Sequence, residues 1–190
     1  MLANPALGKA LLFQKDAKAL SRWDDFSDPQ VIGLCANDSH GRLKLENELR
    51  LWSLELTVAW PETEAKRKFT AIHAIATGRF YCVSSVIEHG GGFSFQAETT
   101  NETTLGPGQT ATKANVLALT LTAPNLESDK ISLVLYRNGI QVAHSHKPYF
   151  RYPKPAPGTY RAEVRLAIPN PLIGEDSIPV IYSNKIRVLK

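Results

Sequence analysis

Val31-Ile32-Gly33-Leu34-Cys35-Ala36-Asn37-Asp38-Ser39-His40-Gly41 is the stretch on which the reading of this chain turns. Its apolar front half, Val31 to Ala36, reads as a strand buried on both faces, as in a parallel sheet flanked by helices. Asn37 to Gly41 then leaves the sheet at its C-terminal edge, where α/β enzymes and barrels place their sites. Asp38 and His40 are two apart, so an extended segment points them the same way. Carboxylate oxygen and imidazole nitrogen together suit Zn, Mn or Fe rather than Ca. Two ligands are fewer than the three protein ligands of a catalytic zinc. On spacing alone, a loop Asp capping the next segment beside a surface His is the simpler reading.

Upstream, Leu7, Ala10, Leu11, Phe13, Ala17, Leu20, Trp23 and Phe26 recur at intervals of mostly three or four. That spacing predicts an amphipathic helix from Pro5 to Phe26, stopped by Ser27-Asp28-Pro29. Asp24-Asp25 near its end reads as a solvated pair rather than as acid/base carboxylates. The abrupt start of this pattern after Met1 suggests a chain cut from something longer. Downstream, alternation predicts a strand from about Trp52 to Trp60, with a helix over Leu43 to Leu54 as the competing reading. Pro61-Glu62-Thr63-Glu64 signals a helix start, and Phe69, Ile72 and Ala76 mark its apolar face before Gly78 ends it. His73 lies one position from that face and reads as structural or solvated.

From Arg79 the texture changes to strands. Phe80 to Ile87, Phe93 to Ala97, Asn115 to Ala123, Tyr149 to Tyr152, Gly158 to Ile168 and Val180 to Leu189 all fit the pattern. Lys130 to Tyr136 and Ile140 to Ser145 form a hairpin about Arg137-Asn138-Gly139, since Asn-Gly accepts the positive φ of such turns. Seven or eight short strands separated by turns predict a β-sandwich. Gly90-Gly91-Gly92 lacks the Lys-Ser/Thr and the following helix of a phosphate loop. Asn101-Glu102-Thr103 is a glycosylation sequon, meaningful only in a eukaryotic secreted chain. His144-Ser145-His146 puts two imidazoles on one strand face, where a metal chelate competes with an exposed strand end, and the latter is favoured. Tyr149, Phe150, Tyr152 and Tyr160 read as core and cross-strand pairs rather than a sugar platform.

The 190 residues suffice for one large or two small domains, and 43% hydrophobic content supports a core. The net charge of +4 is scattered, with Lys66-Arg67-Lys68 as its only tight cluster. The basic stripe of a nucleic-acid surface is missing. No apolar run is long enough for a transmembrane helix, and the N-terminus does not read as a signal peptide. Cys35 and Cys82 sit in apolar runs, where packing as small hydrophobes and one disulfide are both open, so the compartment, cytoplasmic or periplasmic, stays undetermined.

Taken together, these segments resemble the C-terminal part of a PHP-domain protein, the polymerase and histidinol phosphatase type of metal-dependent phosphoesterase. Ala19-Leu20-Ser21-Arg22-Trp23-Asp24 is similar to the helix before that family's last barrel strand. Leu34 to Gly41 resembles its final metal motif, usually glycine-rich before Asp-Ala-His. Ala74 to Tyr81, followed by Gly92 to Ala97, resembles the junction between helix and sandwich. Gly158-Thr159-Tyr160-Arg161-Ala162-Glu163 and Ser183-Asn184-Lys185-Ile186 are similar to the family's Gly-x-Tyr-Arg-x-Glu and Ser-Asn-Pro-Ile endings.

The resemblance implies an α+β chain: a helix–strand–helix remnant of a (β/α) barrel over residues 1–78, then an immunoglobulin-like sandwich over 79–190. It implies that Asp38 and His40 are metal ligands, that the intact parent holds a divalent Zn, Mn or Fe cluster, and that its substrate is a small phosphorylated molecule. Asn37 and Lys185 depart from the family pattern, and the family's other ligands lie upstream of anything present. The expectation is therefore that this chain alone hydrolyses no phosphoester and holds no complete metal centre. The competing expectation is a non-enzymatic sandwich acting as a binding module. Neither reading expects nucleic acid or membrane as a partner, and apolar surface left on the N-terminal remnant would favour a homodimer.

Overall fold

The computed structural model describes residues 17–26, 31–35, 52–84, 90, 92–126, 130–170 and 174–190. Two helices are present among them, α1 (Ala17–Asp25) and α2 (Glu64–Ala76). The strands are β1 (Trp52–Leu56), β2 (Phe80–Ser84), β3 (Ser94–Thr99), β4 (Thr104–Leu105), β5 (Thr110–Thr112) and β6 (Val116–Thr122). They continue with β7 (Ile131–Arg137), β8 (Ile140–Ser145), β9 (Tyr149–Pro153), β10 (Gly158–Asn170), β11 (Gly174–Ser183) and β12 (Ile186–Leu189). The described residues are thus mostly β, with two helices, and fit an α+β, sandwich-like class.

The larger sheet runs β1-β2-β11-β10, with β7 and then the edge strand β8 on the far side of β10. β12 pairs with the start of β10, and β5 adds to β12 in parallel. The smaller sheet has the order β4-β3-β6-β9 and is antiparallel throughout. Strand alternation sends one set of side chains between the sheets. Tyr81, Val83, Leu133, Leu135, Tyr160, Ala162, Val164 and Ile181 from the larger sheet meet Phe95, Ala97, Leu119 and Leu121 from the smaller one in a single buried cluster. A polar contact bridges the layers: the Phe95 amide donates to the buried Tyr81 hydroxyl at 3.1 Å.

The Asn138-Gly139 hairpin forms as expected, with φ of 49° and 78°. The Asn138 side-chain oxygen also accepts the Thr159 amide at 2.9 Å, tying the turn to the start of β10. Helix α2 ends at Gly78, whose φ of 72° suits a glycine C′. Its packing differs from expectation: Phe69 and Ile72 are 72% and 68% exposed, and Ala74 on the opposite side is the helix's buried residue. The helix docks through small side chains and leaves its large apolar ones outward. His73 is exposed and stacks on Phe69, with centroids 6.2 Å apart.

The β4–β5 turn is wedged against the end of α2. Gly108 has φ of 80°, and a Cβ there would sit 1.9 Å from the Thr77 carbonyl oxygen. Its amide instead donates to the Lys185 carbonyl at 2.8 Å. β1 precedes Gly78 yet pairs with β2 along its whole length, so the sheet reaches across residue 78.

The predicted buried strand over Val31–Ala36 is corrected. Residues 31–35 have no strand pairing, and Leu34 is 60% exposed. Gly33 passes directly over the indole of Trp23, where an added Cβ would meet the ring at 2.8 Å. Its amide donates at 2.8 Å to the side-chain oxygen of Asn184 instead of to a ladder. The run is apolar because one side lies on the sheet, not because both do.

Candidate functional site

The face of the larger sheet turned away from the sandwich core carries the chemistry. Register places Leu54, Cys82, Tyr182, Glu163, Val134 and His144 in one lateral row, with Arg161 and Tyr136 in the neighbouring row. A charged pair on a sheet face must be covered and satisfied or left in water. Helix α1 and residues 31–35 provide the cover.

Arg161 is 3% exposed and Glu163 fully buried. The Arg161 guanidinium donates through Nε and Nη2 to the two carboxylate oxygens of Asp24, both at 2.8 Å, and through Nη1 to Glu163 Oε1 at 2.6 Å. It lies 4.0 Å over the Tyr136 ring, whose hydroxyl donates to Glu163 Oε2 at 3.3 Å. Burial by itself disfavours the guanidinium charge. The Asp24 hydrogen bonds and the Glu163 charge outweigh it and hold the Arg161 pKa above its ordinary value. Asp24 is therefore no solvated helix end: its side chain is 7% exposed in this ion pair. The pair Arg161 and Glu163, separated by one residue between inward Tyr160, Ala162 and Val164, signals a charged sheet face in the sequence. Nothing local signals that a helix 137 residues upstream would cover it.

The break between β11 and β12 completes the attachment. Ser183 Oγ accepts the Ala162 amide at 2.7 Å, so a side chain substitutes for the interrupted ladder. Asn184 holds Gly33, as described, and Lys185 Nζ donates to the Trp23 carbonyl while lying 4.6 Å over the Trp23 ring. Burial lowers the Lys185 pKa, with Asp24 opposing that effect. Cys35 and Cys82 are joined in a disulfide, settling the alternative left open by the sequence, and the bond pins residues 31–35 to β2. Trp23 Nε1 donates to the Val31 carbonyl at 3.4 Å.

A cleft of about 270 Å³ opens between this cover and the sheet, lined among others by Trp23, Leu34, Cys35, Trp52, Tyr182 and Asn184. Trp52 and Tyr182 meet at 5.5 Å between centroids. Burial raises the Tyr182 pKa well above its ordinary value. The lining is aromatic with an amide and a phenol, an arrangement suited to holding an apolar or planar group rather than to moving protons.

Asp38 and His40, the residues expected to bind metal, lie outside the described residues. Among the described residues, no group of three or more His, Cys, Asp or Glu is placed to hold a metal ion. No helix of the described chain is long and apolar enough to cross a membrane. Comparison with known proteins gives no matching family model and no matching curated protein.

Proposed function

We propose that this chain is the C-terminal part of a PHP-type, metal-dependent phosphoesterase-like protein, inactive alone, with Asp38 and His40 as two of its metal ligands. The supporting observation is that segments carrying the resemblance touch one another. Trp23 and Asp24, Arg161 with Glu163, and Ser183 to Lys185 form one contact set, and Asn184 also holds Gly33, just ahead of the Leu34 to Gly41 segment. Residues 31–35 are thereby anchored immediately before Asp38 and His40. The sandwich, read as immunoglobulin-like, acts as the accessory platform that fixes this anchor.

The donor types suit a divalent Zn, Mn or Fe, but two ligands leave the centre short of the three a catalytic zinc takes. When bound in a complete centre, such ions activate water for attack on a phosphoester. The Cys35–Cys82 disulfide supports the periplasm over the cytoplasm. The deciding experiment is metal content and p-nitrophenyl phosphate hydrolysis of the longer parent carrying Asp38→Ala and His40→Ala. The expected result is lost metal and activity reduced by more than about a hundredfold, beyond the range for outer-shell partners. Unchanged metal and activity overturn the assignment.

A second reading, a binding module without catalysis, is favoured by the aromatic cleft at Trp23, Trp52 and Tyr182. It predicts that small planar ligands quench tryptophan fluorescence in the isolated chain, and that Trp52→Ala removes the response. A ligand screen with no quenching removes this reading.

A further inference from the structure

We propose that His144 and His146 form a two-imidazole chelate for a late first-row divalent cation, Cu²⁺ or Zn²⁺, on the edge of the larger sheet. β8 is an edge strand, pairing among the described residues with β7 alone. His144 stands opposite Val134 in the ladder, which fixes its place on the strand. His146 follows in the next turn, which the Ser145 hydroxyl fixes by accepting the Lys147 amide at 3.0 Å. Both side chains are exposed, and their rings already meet with centroids 5.8 Å apart and planes at 80°.

An ion held about 2.0–2.1 Å from a nitrogen of each ring lies about 3 Å from each ring centre, a span that the 5.8 Å centroid separation accommodates once a nitrogen of each ring turns toward a common point. Imidazole favours Cu²⁺ and Zn²⁺ over Mg²⁺ or Ca²⁺, and among first-row ions Cu²⁺ binds most tightly. Two protein donors leave the remaining positions to water or to an exogenous ligand. Lys147 is the adjacent cation, exposed and therefore screened, and it weakens the site without closing it.

The site is independent of Asp38 and His40, and its test keeps the two apart. Untagged full chain carrying Asp38→Ala and His40→Ala is titrated with CuSO₄ and with ZnCl₂ by calorimetry. The copper adduct is also examined by electron paramagnetic resonance. The expected result is one ion per chain, copper tighter than zinc, with hyperfine structure from two nitrogens. His144→Ala and His146→Ala each weaken binding at least tenfold, whereas His73→Ala leaves it unchanged. Circular dichroism of the variants checks that the fold is retained, as substitutions at exposed positions should allow. Equal affinity in the His144→Ala/His146→Ala double variant overturns the proposal. So does a loss confined to one of the two single variants, which would reveal a single-imidazole contact rather than a chelate.

Discussion

Arg161 is the residue on which the outer face of the sheet depends. Its guanidinium is shared between Asp24 of α1 and Glu163 of its own strand, both nearly or fully buried. Removing one member of such a set leaves charge without compensation, a loss of about 3–5 kcal/mol. Arg161→Leu is expected to cost that much in urea unfolding. Adding Asp24→Asn should recover part of the loss, because one stranded carboxylate disappears. A single-variant loss below about 1 kcal/mol, the range of exposed pairs, would mean that the ion pair is solvated. The sequence made half of this legible. Alternation places Arg161 and Glu163 on one face, but the reading of Asp24 as solvated failed because its partner comes from the far end of the chain.

Residues 31–35 show how an element can be misread from its composition. The apolar run was expected to be a strand, yet Gly33 packs on an indole and uses a side-chain acceptor in place of a ladder. An apolar run this short does not distinguish a buried strand from a strap laid on a sheet. The hairpin at Asn138-Gly139 and the Gly78 helix stop were legible because each rests on a positive φ that few residues accept. In α2 the apolar stripe was legible but its direction was not, since the helix docks through Ala74. The strap's covalent anchor closes a span of 47 residues. In the chain-entropy view, such a loop stabilises by about 4 kcal/mol. Reduction with a phosphine is expected to lower the urea midpoint accordingly, and the unfolded, unreduced chain should show no free thiol. Two titratable thiols before reduction would mean the bond does not form.

For the whole molecule, the sandwich was legible because its strands alternate and are separated by turn residues. The covering layer was not, because it depends on contacts between distant segments. Of the six tyrosines, Tyr81, Tyr136, Tyr160 and Tyr182 have pKa values raised chiefly by burial. A raised folded pKa means that keeping these phenols neutral contributes fully below about pH 10, the unfolded value, and is lost as pH rises through the folded values. Absorbance near 295 nm should show these four phenols ionising late, together with loss of structure, and urea midpoints should fall above about pH 10. One reversible step of all six near pH 10, with stability unchanged, would contradict the burial.

The strand break at Ser183 to Lys185 also sets a timetable for synthesis. Trp23 leaves the ribosome 162 residues before the lysine that holds its carbonyl, and Asp24 precedes Arg161 by 137. At about 5–20 residues per second, α1 waits roughly seven to thirty seconds for its partners. Cys82 follows Cys35 by 47 residues, so the tether between strap and β2 needs no part of β10. Residues 183–185 then close a layer begun by α1.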